Sequence, residues 1–112
     1  DAAQIRAHPL RGPLFETFVV SELFKLFLNR GERPPLSFWR DSHGHEVDIV
    51  VDLGDRLVPM EVKAGETLAR DAFRGLTYLS ELSGEPGGVL VHGGNRTRPY
   101  GGFQVWPWWT IS

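Results

Sequence analysis

The sequence predicts an α/β domain with a mixed central sheet flanked by helices. Three observations predict it. Two stretches carry apolar residues at three- and four-residue steps, the spacing of a helix face. Five short apolar runs lie between turn signals, as strands do. Their order is α-β-β-β-α-β-β, and the turns between the first three strands are short enough for an antiparallel meander. The 112 residues suffice for one domain with one core, and no linker or internal repeat divides residues 1–112.

Residues 1–12 read as a lead-in without periodicity. Phe15, Phe18, Val19, Leu23 and Leu26 mark a helix over 13–29, with Pro13 suited to its first turn and Gly31 to its end. Pro34 and Pro35 then force an extended segment. Strands are expected at 36–40, 45–52 and 56–63, with turns at 41–44 and 53–55. Leu68, Ala72, Leu76 and Leu79 predict a second helix over 68–82, ended by the Gly- and Pro-rich run at 83–88. Short strands are expected at 89–92 and 103–106, separated by a polar, Gly-rich loop.

Composition narrows the class. Hydrophobic content of 41% and charged content of 23% fit a soluble globular protein. No run approaches the roughly 20 apolar residues that span a bilayer. The first ten residues lack the pattern of a secretory signal. The absence of cysteine excludes disulfides, thiol catalysis and Cys-ligated zinc, and accords with a cytoplasmic location. The first residue is Asp rather than Met, so a piece of a longer protein is expected. The net charge of −2 counts against a strong independent nucleic-acid binder, although ten of the twelve basic residues are Arg.

The chemistry concentrates in two runs, Gly44-His45-Glu46-Val47-Asp48 and Pro59-Met60-Glu61-Val62-Lys63. Side chains alternate along a strand, so Glu61 and Lys63 share a face. A hairpin turning at 53–55 brings Asp48 near Glu61. Two carboxylates and the Val62 carbonyl would offer oxygen-only ligation, which favours Mg²⁺ or Mn²⁺ over zinc. Lys63 would orient a water or offset charge growing on a phosphate. A plain cross-strand salt bridge is the competing reading, worth under about 1 kcal/mol at a surface. The apolar flanks of Asp48 and Glu61 weigh against it, because an ionised group there must be paired or ligated. Glu16 and Glu22 both fall in the apolar arc of the first helix, roughly 9 Å apart along its axis, so at most one is a direct ligand.

Gly12-Pro13-Leu14-Phe15-Glu16, Gly44-His45-Glu46-Val47-Asp48 and Glu61-Val62-Lys63-Ala64-Gly65 together resemble the PD-(D/E)XK nuclease superfamily. Its restriction-endonuclease-like core has the order αβββαβ. With Phe38-Trp39-Arg40-Asp41 added, the chain resembles the DUF4143 domain found at the C-terminus of a group of AAA-type ATPases. The resemblance implies catalytic roles for Asp48, Glu61 and Lys63, and metal ligation by Glu16, Asp48 and Glu61. It favours Glu16 over Glu22 as the helical acidic residue. It also implies an N-terminal ATPase outside this chain, which has no P-loop run of its own. The implied activity is metal-dependent phosphodiester hydrolysis of nucleic acid. The alternative is a catalytically silent interaction or regulatory module of the ATPase. The expected partners are that ATPase, DNA and a second copy of the chain, with no membrane.

Other residues carry weaker expectations. His43 and His45 read as a solvated turn and His92 as a capped strand end. Arg70 and Arg74, one turn apart on the second helix, and Arg96 and Arg98 in the Gly-rich loop are candidate phosphate contacts. Trp106, Trp108 and Trp109 read as an aromatic cluster covering the core edge.

Overall fold

The computed structural model describes residues 11–85, 87–95, 97 and 100–111. The lead-in at 1–10 and the candidate contacts Arg96 and Arg98 lie outside the described residues. The described chain forms α1 (Arg11–Asn29), β1 (Leu36–Arg40), β2 (Glu46–Asp52), β3 (Leu57–Lys63), α2 (Arg74–Ser83), β4 (Val89–His92) and β5 (Gln104–Pro107), then a 3₁₀ turn at Trp108–Ile111. The order is the one expected, and the sheet is mixed. It runs β1-β2-β3-β4-β5, antiparallel from β1 to β3 and parallel from β3 to β5.

Each face of the sheet buries one helix. On one face α1 places Phe15, Val19, Leu23 and Phe27 against Ile49, Val51, Met60, Val89 and Val91. Those α1 positions recur every four residues, so a single stripe is apolar and buried. Trp106 and Trp108 pack on the same core, Trp108 edge-on to Phe18 at 6.0 Å, as the terminal-cluster reading expected, whereas Trp109 is exposed rather than packed into that core. On the other face Ala72, Phe73 and Leu76 cover Val47, Val50, Leu90 and Val105. The β3–α2–β4 crossover links two parallel strands, and a helix is the usual way to make that return.

The second helix differs from its expected span. It starts at Arg74, not at 68. Residues 69–74 close instead through backbone bonds from Ala72 to Ala69 and from Arg74 to Asp71, three residues apart. These turns still send Leu68 and Ala72 into the core. Inward-facing turns therefore imitate a helical period. At the far end Gly84 adopts φ 73° and its N–H caps the Ser80 carbonyl, a left-handed stop that glycine permits.

Candidate active site

Residues near Asp48 break the regular ladder twice. Along β1–β2, Ser37 pairs with Val50 but Trp39 pairs with Val47. One residue, Phe38, therefore opposes two, Asp48 and Ile49, which is a β-bulge on β2. Strict alternation would put Val47 and Ile49 on one face. Instead Val47 packs with α2 while Ile49 packs with α1. The bulge thus re-aims the side chains on its N-terminal side. Asp48 consequently lines a small polar recess with Glu16 of α1 and with Glu46.

The second break lies between β2 and β3. Their paired positions end at Ile49 and Met60. Beyond them side chains replace the ladder. Asp48 Oδ2 accepts the Val62 N–H at 2.8 Å, and Glu61 Oε1 accepts the Asp48 N–H at 3.1 Å. Each carboxylate satisfies a backbone donor of the opposite strand, which buried donors require. Lys63 Nζ stands 3.6 Å from Glu61 Oε2. Asp48, Glu61, Val62 and Lys63 therefore meet at one splayed strand end, and Val62 reaches it through its N–H.

Electrostatics mark the same place. Burial, joined by the Asp48 charge, pushes the Glu61 carboxyl up to about 7, against the pull of Lys63 and the Asp48 N–H. Desolvation also raises Asp48, opposed by the Val62 N–H and by Lys63. Glu16 is raised by burial and then by repulsion from Asp48 and Glu46. Carboxylates that resist ionisation chiefly because burial strips them of water are a donor set that a hard cation would relieve. Glu22 belongs elsewhere, with Lys25 at 3.3 Å. Among the described residues no three His, Cys, Asp or Glu side chains stand close enough to enclose an ion by themselves.

Sequence reasoning passed over Glu46 and Gly75. Glu46 forms part of the Asp48 recess; its place next to a bulge has no sequence signature. Gly75, in the first turn of α2, lets the helix approach the Glu46 carbonyl and the Glu61 carboxylate. A β-carbon there would overlap that carbonyl and lie 3.4 Å from Glu61 Oε1.

His45 departs from the solvated-turn reading. Asp41 Oδ1 accepts the His43 and His45 N–H groups, both at 2.9 Å, and its Oδ2 lies 3.1 Å from His45 Nδ1. The His45 ring stacks on Tyr78, centroids 3.6 Å apart and planes 3° from parallel. Desolvation pulls the Asp41 carboxyl up. Hydrogen bonds from His45, His43 and Tyr78 together outweigh it and hold Asp41 below its usual value. His92 is fully buried at the end of β4, and its Nδ1 accepts the Gly94 N–H at 3.1 Å, as a capped strand end would. Arg70 precedes α2 rather than lying on it, so it and Arg74 are not one turn apart on a helix. Both still line one cleft.

A mixed α/β sheet with a paired Asp and Glu at a splayed hairpin defines the class. The chain belongs to the DUF4143 family: that profile, described as a domain of unknown function, matches residues 11–111. No curated protein and no solved structure gives a significant match. Among the described residues no helix is long and apolar enough to cross a membrane.

Proposed function

We propose that this domain is a divalent-metal-dependent phosphodiesterase of the PD-(D/E)XK type, acting on nucleic acid as part of a longer ATPase chain. The observation that carries this reading is the meeting of Asp48, Glu61 and Lys63 at the splayed end of β2 and β3. Asp48 and Glu61 would hold Mg²⁺ or Mn²⁺, with Glu16 on the far side of Asp48 and the Val62 carbonyl as a further donor. The bound cation would polarise a phosphodiester and lower the pKa of a water. Lys63 keeps an exposed ammonium beside the buried Glu61, where it offsets negative charge on an attacked phosphate. The bulge and the two carboxylate–backbone bonds hold these groups before any ligand arrives.

A second reading, a catalytically silent module of the ATPase, is favoured by one specific observation. Asp48 and Glu61 already have structural work, each bonded to a backbone N–H. Calorimetric titration of Mn²⁺ into the parent and into Asp48→Ala/Glu61→Ala separates the two. Binding by the parent that is lost in the variant, with cleavage of DNA or RNA lost alongside it, is expected. A folded parent that takes up no Mn²⁺, alone or with nucleic acid present, would sink the enzyme reading.

A further inference from the structure

A second cleft, larger than the recess at Asp48, lies elsewhere on the domain. It opens between α2 and the start of β2, has a volume of about 630 Å³, and is lined by His45, Arg70, Phe73, Arg74, Tyr78 and Tyr100. That volume is within the range of small-ligand sites, about 300–1,000 Å³. Its walls are aromatic. On one side His45 lies flat against Tyr78, and on the other Tyr100 lies flat against Phe73, centroids 4.6 Å apart and planes 9° from parallel. Phe73 is buried beneath while Tyr100 remains 61% exposed, so one Tyr100 face is covered and the ring is otherwise open. The Asp41 bonds fix the plane of His45. Rigid, flat rings at a cleft wall are what a planar ring system stacks on.

Charge narrows the ligand. Arg70 and Arg74 supply two guanidinium groups, but Asp71 and Glu81 line the same cleft and offset them. A polyanion held by charge alone does not suit such a lining. A planar base carrying one phosphate does, with the rings taking the base and an Arg the phosphate. The cleft also adjoins the candidate active site. Arg74 and His45 are the chain neighbours of Gly75 and Glu46, whose backbones touch beside the Glu61 carboxylate.

We infer that this cleft binds a nucleotide unit, a planar base with its phosphate, between the His45–Tyr78 and Phe73–Tyr100 stacks. Assigning that unit to an unpaired stretch of a substrate strand rests on the nuclease reading. The same chemistry is offered by a free nucleotide. A base inside a duplex has both faces covered by neighbours and cannot stack on protein rings.

The test is fluorescence anisotropy in EDTA with labelled oligothymidylate and oligouridylate, and with thymidine monophosphate as competitor. The variants are Tyr100→Ala and Arg74→Ala, with Lys25→Ala, an exposed residue of α1, as the control. Tyr100 and Arg74 are exposed, so circular dichroism is expected to report unchanged folding. The parent is expected to bind single strands, and Tyr100→Ala and Arg74→Ala each to weaken binding about tenfold. Lys25→Ala, on the helix that packs against the opposite face of the sheet, is expected to bind as the parent does. A shallow salt dependence is expected, because stacking rather than counterion release supplies the affinity. Competition by the monophosphate at equal affinity supports the site and assigns it to a free nucleotide. No binding of strand or monophosphate, or binding that neither Tyr100→Ala nor Arg74→Ala alters, overturns the inference. Strand binding by a chain that takes up no Mn²⁺ would leave this site standing and remove only the nuclease reading.

Discussion

Glu61 shows how one buried group can set the pH response of the domain. Its folded pKa, about 7, lies above its usual value of 4.5. Between those values the folded state keeps a proton that the unfolded state releases. Stability must therefore fall as pH rises through that window, by at most about 3 kcal/mol. Asp48 and Glu16 are raised too and act in the same direction. Asp41 has the opposite sign: its lowered pKa makes it a stabiliser above its usual value of 3.8, lost as pH falls below it. In EDTA, thermal melts of the parent are expected to weaken from about pH 5 to about pH 7 and to level off above it. Glu61→Gln removes the titrating group but keeps an oxygen for the Asp48 N–H, and its melts are expected to change much less over that range. A parent whose melting temperature rises across the window would refute the raised Glu61 pKa. The identity of Asp48, Glu61 and Lys63 as a cluster was legible from alternation and one short turn. Their detailed bonding was not. No sequence pattern reports that a ladder stops one pair before two carboxylates, or that each then takes a backbone donor.

The helices and strands were legible wherever one period dominated. Every strand was located to within about a residue, because apolar runs bounded by Gly, Pro or Asp leave little choice. The start of α2 was misplaced because Leu68 and Ala72 face the core from turns at the same spacing as a helix face. The β2 bulge was missed because Val47, Ile49, Val50 and Val51 are all buried, so no polar position reveals the change of face. Gly75 makes the role of close approach measurable. On propensity alone, Gly→Ala inside a helix gains about 1 kcal/mol. At Gly75 the new methyl would overlap the Glu46 carbonyl, and backbone cannot yield as a flexible side chain does. Steric cost of about 1–3 kcal/mol is expected to win, so Gly75→Ala destabilises. Gly12→Ala in α1 meets nothing within 4 Å and is expected to be neutral or slightly stabilising. Paired urea unfolding curves check this contrast. Equal behaviour of the two variants would mean that α2 shifts freely against β2, and the support claimed for Glu61 would go with it.

The two packed faces raise the question of whether the molecule unfolds as one body. The α1 core and the α2 core share no side chains and communicate only through the sheet. The 10 residues of α2 are too few for a stable isolated helix in water, and the 19 of α1 depend mainly on packing of their apolar stripe against the sheet. Stripping either from the sheet would also expose buried Val, Leu and Ile side chains on that face to water. Cooperative unfolding follows, with both cores lost together. Leu76 is the fully buried residue of α2, and Leu76→Ala is expected to cost about 2–5 kcal/mol. Leu23 lies in the opposite core, where Leu23→Met keeps the volume nearly constant and is expected to cost under about 1.5 kcal/mol. Helices on opposite faces of a sheet stand beyond the roughly 7–10 Å over which such effects couple. The double variant is therefore expected to show the sum of the two costs within about 0.5 kcal/mol, in a single transition with an unchanged denaturant slope. Two transitions, or a reduced slope in Leu76→Ala alone, would mean that α2 detaches first. The nucleotide cleft and the support beneath Glu61 would then depend on a separately opening lid rather than on the folded core.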